Sequence, residues 1–515
     1  MADSHDQGSP SVANIGIDGD GSVVWLPIVL SLDGGGVRGL SSLYFLKKIM
    51  EEVKELEKSE SCDTNSQITE NTERQGLPLP CNYFDFIIGT STGGSVDPKV
   101  KIEYILSMTR LIATMLGRLR MDVDDCIKQY LIISHRIFRP HRIPIMQNYS
   151  GDQLSREVRV VVSKFCGCHK KDDEKGDESK EECKDDYFRQ YDYMEKDTYH
   201  GNRDSKRLNK TCKVAVTSVR NGGANSHSKT EVDIAYLFRS YDSAPRYNDG
   251  EMNPRSLDQS KLRIYEACRA TTAAPMYFPP LRMRGRLFMD GGIFANNPSW
   301  LAFNEAKRMC DEPHCNESND SEKPRYPIAL VSIGTGGSKG YDSFSVGGLL
   351  RTMKDKFTDT ENDHHKVRDI CGNSGTTYFR FNVLDKSNGE GLQIGLSECK
   401  REKVKSWYQR AAQTETTNTN LEKEADENVR KGYRPQKYRY TTFNKIRDKT
   451  QAYFEKPYEQ DGGPTVGENL RKCAELLVDY SRKRRENDFQ RWEDFRRHPD
   501  PKYRPPPRAV VEPED

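Results

Sequence analysis

An α/β fold built on a largely parallel sheet is what this sequence predicts, and three observations carry that reading. Dense apolar runs of strand length recur, each delivered into glycines: VVWLPIVLSLD before GGG, YFDFIIG before TSTGG, and YPIALVSI before GTGG. The segment after the first turn, GLSSLYFLKKIMEEVKELEKSE, places Leu40, Leu43, Leu46, Met50, Val53 and Leu56 every three or four residues, the spacing of one helix face. Strands that alternate with helices in this way imply a sheet covered on both faces.

Residues 1–22 are dominated by Gly, Ser and Asp and are expected to be disordered. One domain is expected over 26–340, with insertions near 95–110 and 166–210. Within it, Lys58 to Gln75 reads as a loop, KVAVTSV and IAYLFRSY read as strands separated by charged surface excursions, and KLRIYEACRA reads as a helix stopped by the prolines of AAPMYFPP. LRMRGRLFMDGG then returns as strand and glycine turn. From 345 to 495 the composition shifts to Lys, Arg, Glu and Gln, and a mainly helical C-terminal region is expected. Its clearest part is ENLRKCAELLVDYSRKRRENDFQRWEDF, where Leu470, Cys473, Leu476, Leu477 and Tyr480 form one stripe. The proline-rich 496–515 reads as a disordered tail.

The 515 residues suffice for a large buried core, and a net charge of +2 with 31% charged residues shows no global bias toward nucleic acid. Thirteen scattered cysteines suit reduced thiols rather than a disulfide framework. Cys166, Cys168, His169 and Cys183 are the nearest approach to a metal cluster, but they sit in or beside a charged loop and their spacing is short for zinc, so no metal is expected. The N-terminus has no basic start and no apolar h-region, and no apolar run is long enough to span a bilayer. An intracellular protein, cytoplasmic or peripheral on membranes, is the expectation; the triplets at Asn148, Asn209 and Asn316 are then expected to carry no sugar, and EPED offers no prenylation box. The basic SRKRR beginning at Ser481 alternates with acids, which favours a solvated helix face over a membrane patch.

Three glycine-flanked sites carry chemistry. In DGGGVRG, Asp33 to Gly39, consecutive glycines before a helix expose backbone N–H groups suited to a negative oxygen, either a phosphate or an oxyanion. Gly34, Gly36 and Gly39 also satisfy GxGxxG, so a dinucleotide site competes. In GTSTG, Gly89 and Gly93 flank Ser91 as a strand-to-helix nucleophile elbow requires, although an ordinary Gly/Ser turn has the same composition. In FMDGGIFANNP, Asp290 ends an apolar strand as a cap or as a rigidly held base. All three fall at the carboxyl ends of strands expected to be parallel, where open α/β sheets place their sites, and dinucleotide binding would explain only the first.

Those motifs, in that order, together with IYEACRATTAAPMYFPP, LFMDGGIFANNPS and LVSIGTGG, resemble the patatin-like phospholipases, especially fungal proteins related to calcium-independent phospholipase A2. The likeness runs from about residue 26 to 340, and weaker similarity continues in NKIRDKTQAYF and RRENDFQRWEDF. It implies a patatin-type three-layer fold and hydrolysis of acyl esters of phospholipids or related lipids, with Ser91 as nucleophile and Asp290 as general base. Gly34, Gly35 and Gly36, with Arg38 beside them, would form the oxyanion hole. No cofactor is implied; the partners are a lipid substrate and a peripheral membrane surface, not nucleic acid.

One stretch departs from that pattern. Removal of SVDPKVKIEYILSMTR, Ser95 to Arg110, joins Gly94 to Leu111 and leaves STGGLIATMLGRLRMD, an uninterrupted elbow helix. Pro98 inside a continuous helix would cost roughly 3 kcal/mol or more. Asp97 and Pro98 instead suit the start of a new helix running toward Leu116. A retained intron accounts best for the clean rejoining; a natural apolar lid and a degraded enzyme are the alternatives. The last of these makes a catalytically impaired lipid-binding or scaffolding protein the competing function.

Overall fold

The computed structural model describes residues 25–63, 76–90, 109–137, 150–165, 187–188, 211–221, 234–241, 262–273, 278–291, 296–310, 325–336, 360–384, 391–392, 394, 401–403, 438–458 and 463–496. In chain order the first elements are β1 (Ile28–Leu32), α1 (Gly39–Asp63), β2 (Phe86–Gly89), α2 (Thr109–Ala113), α3 (Val123–Ile137), α4 (Gly151–Phe165), β3 (Lys213–Asn221) and β4 (Ile234–Arg239). There follow α5 (Ile264–Thr271), β5 (Leu281–Met283), β6 (Arg286–Asp290), α6 (Ser299–Cys310), β7 (Ala329–Ile333), α7 (Thr360–Ser374) and β8 (Thr377–Phe381). The last are β9 (Arg401–Lys403), β10 (Tyr438–Tyr440), α8 (Thr441–Tyr453), α9 (Val466–Asn487) and α10 (Phe489–Arg496).

Eight strands form the central sheet in the order β5-β6-β3-β2-β1-β7-β8, with β4 also paired to β3. The pairs β3–β2, β2–β1, β1–β7 and β7–β8 are parallel. Side-chain alternation along each strand makes this the middle of three layers. Leu30, Ile87 and Val331 face one apolar cluster, which they share with α1, α3 and α9; Val29, Ile88 and Leu330 face the other, against Ala302, Phe303 and Ala306 of α6 and Val367 of α7. The sequence is apolar at both parities because both faces are covered.

The apolar stripe of α1 is buried as its spacing requires: Leu40, Leu43, Leu46, Met50 and Val53 are all inaccessible to water. Against it lies α9, which buries Leu470, Cys473, Leu477 and Tyr480. The start of α9 is fixed by reciprocal bonds: Thr465 Oγ1 accepts from the Glu468 amide at 3.1 Å, and Glu468 Oε2 accepts from the Thr465 amide at 2.6 Å. Arg484 of α9 donates to Leu26 O and Asp85 Oδ2, each at 2.7 Å, tying the helix to the edge where β1 and β2 begin.

Two features go beyond the reading of the sequence. The stretch beyond residue 340 holds more than helices: β8 extends the central sheet through Ala329↔Thr377 to Ile333↔Phe381. Second, β6, expected to be a parallel strand, is antiparallel to β3 and forms a hairpin with β5. Arg284 and Gly285 make that hairpin possible, with φ of 48° and 75° in the left-handed region that a tight β-turn needs.

Candidate active site

The glycine loop after β1 is held from four sides. Thr335, just past β7, donates its hydroxyl to Gly34 O at 2.7 Å, and the Gly34 amide donates to Asn296 O at 3.0 Å. Gly35 packs so closely on Thr335 that a Cβ would fall 2.0 Å from its hydroxyl oxygen, and Gly36 has φ 57°, so neither position tolerates a side chain without strain. Tyr130 of α3 donates its hydroxyl to Gly36 O. Asp33, which opens the loop, accepts from Arg380 of β8 at 2.6 Å, and the same guanidinium donates to Ser332 Oγ at 2.8 Å.

This arrangement divides the anticipated oxyanion donors. The Gly34 N–H is already engaged, whereas the amides of Gly35 and Gly36 donate to no described residue. Arg38 follows them, buried, in the 3₁₀ turn Gly36–Arg38. Its Nε and Nη1 have no hydrogen-bond partner among the described residues. Burial pulls its guanidinium down to about 10, so it stays cationic at neutral pH. A buried cation with no matching anion is costly unless an anionic group arrives.

Asp290 reaches the same end of the sheet through strand register. Val216 of β3 pairs with both Gly89 of β2 and Phe238 of β4, and Ser218 pairs with both Asp290 and Tyr236 of β4. Because β4 occupies one edge of β3 throughout, β2 and β6 share the other edge and meet end to end, Asp290 standing opposite a position two residues beyond that of Gly89. Between them lies Thr217, whose hydroxyl is 2.7 Å from that of Thr90. Gly291 must be glycine here, since a Cβ would come within 2.6 Å of the Thr217 backbone. The Asp290 amide donates to Ala273 O at 3.1 Å, anchoring the strand end on the segment after α5.

Arg110 completes the group. It sits in α2, and its Nη2 donates to Asp290 Oδ1 at 2.7 Å; the two side chains are 0% and 1% exposed, so the pair is shut away from water. Burial pulls the Arg110 guanidinium down to about 10, the Asp290 charge opposing that shift, and it too remains a cation at neutral pH. The neighbouring Cys268 thiol, pushed up to about 12 by burial, is neutral and contacts Thr114 Oγ1.

Of the residues singled out from the sequence, Gly34, Gly35, Gly36, Arg38, Gly89 and Asp290 are gathered at the β1 and β2 ends of the sheet. Ser91 and Gly93 lie outside the described residues, as do Asp97, Pro98 and the cluster Cys166, Cys168, His169 and Cys183. Among the described residues no group of three or more His, Cys, Asp or Glu side chains could hold a metal ion. Arg110, Tyr130, Thr335 and Arg380 were not identified from sequence. The signal available was a lone cation within an apolar run, MTRLIATML for Arg110 and TYFRFNV for Arg380, which marks a buried carboxylate partner.

The glycine loop, the elbow glycine and the strand-end aspartate occur in the order and surroundings of a known sequence pattern, that of the patatin-like phospholipases, which matches residues 30–303. The chain belongs to the patatin-like phospholipase family. Among curated proteins of this family it is similar to human calcium-independent phospholipase A2-gamma, with 26% identity over 392 residues, 73% of this chain and 36% of that protein. It is also 23% identical to patatin-like protein 4 of Arabidopsis thaliana over 338 residues, 62% of each chain. A shorter match, 34% over 109 residues, relates 20% of the chain to 13% of the mouse 85/88 kDa calcium-independent phospholipase A2. The chain thus spans little more than a third of the length of the gamma-type relatives. The sheet, with its antiparallel hairpin β5–β6 and its edge strand β8, lies between two helical layers in an α/β fold.

Proposed function

We propose that this chain is a serine acyl hydrolase acting on fatty-acyl esters of phospholipids or related lipids, with Ser91 as nucleophile and Asp290 as general base. The observation that carries the reading is the register on β3: Thr90 lies beside Thr217 and Asp290 beside Ser218. Residue 91 is one peptide unit past Thr90, and that unit spans about 3.8 Å. The proposal requires a hydroxyl there to reach the Asp290 carboxylate.

The steps follow from the groups present. Asp290 takes the Ser91 proton as the oxygen attacks the acyl carbonyl; the Gly35 and Gly36 amides, with Arg38 behind them, receive the negative charge that develops on the carbonyl oxygen. Collapse expels the alcohol, which takes the proton from Asp290, and leaves an acyl-serine. Water, giving its proton to Asp290, attacks the acyl-serine; the fatty acid leaves and Ser91 recovers its proton. No step calls for a metal or an organic cofactor. The names of the relatives support a lipid as the substrate, and a substrate held in a bilayer implies contact with a membrane surface. No helix among the described residues is long and apolar enough to cross one.

Lipid product analysis on phospholipid vesicles tests this with the full chain, a chain lacking Ser95–Arg110, and Ser91→Ala and Asp290→Asn in both. Fatty-acid release by the shortened chain, abolished by either substitution with folding retained, is the expected result; release that survives Ser91→Ala would refute the mechanism. One observation favours the second reading, an impaired lipid-binding protein: the carboxylate assigned as base is already paired with Arg110. Vesicle binding without fatty-acid release by both lengths of chain would establish that reading instead.

A further inference from the structure

The Arg110–Asp290 pair stands apart from the other buried ion pairs of this protein. Arg239–Glu305 and Arg380–Asp33 hold elements together, the first clamping β4 to α6 through two bonds and the second, with a further bond from Arg380 to Ser332, fixing the glycine loop. Arg110 instead donates to the one carboxylate that the catalytic reading requires to accept a proton. The bond fixes the orientation of the carboxylate, and any proton that Oδ2 accepts arrives against the field of the Arg110 cation. Neither partner is exposed, so water does not screen the attraction or compete for the bond.

The origin of Arg110 gives the contact its meaning. It is the final residue of Ser95–Arg110, the stretch whose removal joins Gly94 to Leu111. In a chain without that stretch the helical position before Leu111 is glycine, which has no side chain to reach Asp290. Leu111, Ile112 and Met115 are buried in the core and fix α2, and Thr114 Oγ1 bonds back to Arg110 O at 2.9 Å, so the arginine is delivered from a rigid helix.

We propose that Arg110 is an inhibitory ligand of Asp290, an internal stopper that holds the acyl-hydrolase centre of this chain off while the pair is intact. This inference rests on the assignment of Ser91 and Asp290 made above. It locates the block in one side chain rather than in the length of the inserted stretch.

The test is turnover of a p-nitrophenyl fatty-acyl ester by the full-length chain, comparing wild type with Arg110→Met and Arg110→Gln, each also carrying Ser91→Ala. Both substitutions remove the cation, and the glutamine keeps an N–H for the carboxylate, so it serves where methionine costs too much stability to fold. A Ser91-dependent rate raised about 100-fold, within the range that a positioned base contributes, is the expected result. A shortened chain lacking Ser95–Arg110 that turns over while the folded Arg110 variants stay as slow as wild type would overturn the stopper and leave the hydrolase reading standing. Absence of Ser91-dependent turnover in every folded chain, the shortened one included, would remove the hydrolase reading and the stopper with it. A readout independent of turnover is urea unfolding of Arg110→Met, Asp290→Asn and the double variant: additive effects would show that no pair exists and overturn the proposal, whereas a non-additive cycle supports it.

Discussion

Arg38 is a charge placed where folding alone does not want it. It is buried behind the glycine loop, and burial lowers its guanidinium to about 10 with no anion among the described residues to offset the loss of water. Replacing such a cation by an apolar side chain of similar volume is neutral to stabilising in a fold that does not need it. Arg38→Met is therefore expected to leave the thermal midpoint unchanged or higher while lowering Ser91-dependent hydrolysis in the shortened chain by at least about tenfold; a fall in both together would mark Arg38 as structural. Glu305 shows the opposite design. Burial pushes its carboxyl up, but bidentate bonds from Arg239, a bond from Tyr241 and the charge of Arg308 outweigh this and hold it below the usual carboxylate value. A carboxylate lowered on folding contributes stability that is fully present above its unfolded value of about 4.3 and is lost as pH falls through the folded one. The stability gap between wild type and Glu305→Gln, measured by urea unfolding, is expected to be constant from pH 7 to about pH 5 and to narrow below about pH 4. At this scale the placement of Gly34 to Gly36, Gly89 and Asp290 at strand ends was legible because the turns that need them leave a fixed spelling. Arg110, Tyr130 and Arg380 were not, because their partners are distant in sequence and a single cation or phenol carries no spacing to read.

Among the elements, α9 shows how a polar-looking helix becomes part of the core. Its stripe was visible at three- and four-residue spacing, yet the residue that locks it, Arg484, sits in the basic run that reads as a solvated face. In the fold Arg484 turns inward, donates to Leu26 O and Asp85, and lies over the Trp25 ring at 4.2 Å and the Tyr480 ring at 4.4 Å. Arg484→Leu is expected to destabilise the protein by about 3 kcal/mol in urea unfolding, because Asp85 is left buried beside an apolar side chain; a loss below about 1 kcal/mol would show that its other donors, Trp25 Nε1 at 2.8 Å and the Ile28 amide at 2.7 Å, suffice. The strand β8 escaped detection for a related reason. TYFRF is short, half-buried on three of its positions, and interrupted by a charge that points to Asp33 rather than to water. Five residues give too few turns of any period to separate strand from loop.

For the molecule as a whole, the family pattern stops at residue 303 but the fold does not. The parallel strands β7 and β8, the support of α1 by α8 and α9, and the Arg380 contact to Asp33 all come from residues beyond that limit. A chain ending at residue 340 would expose the apolar face of α1 and leave β7 as an open edge. It is expected to be insoluble or unfolded by circular dichroism and to have no Ser91-dependent activity even without Ser95–Arg110; a folded, soluble product would show that the C-terminal part is dispensable. The layered α/β architecture was readable because repeated strand, glycine and helix units can close only in a few ways. The antiparallel hairpin was not, because direction is set by where a strand finds its partner, and the spelling of LRMRGRLFMDGG is compatible with either.

The end-to-end meeting of β2 and β6 has one more consequence. These strands do not pair with each other; each is measured off β3, which works as a shared ruler for Thr90 at the end of one and Asp290 at the end of the other. The connections that bring the chain from β2 to β3, and from β3 by way of β4 to β6, are therefore free to drift in length through evolution without altering the spacing of Thr90 and Asp290 along β3. Lengthening β3 itself by a single residue between Thr217 and Ser218 would shift one end of that spacing and leave the other in place.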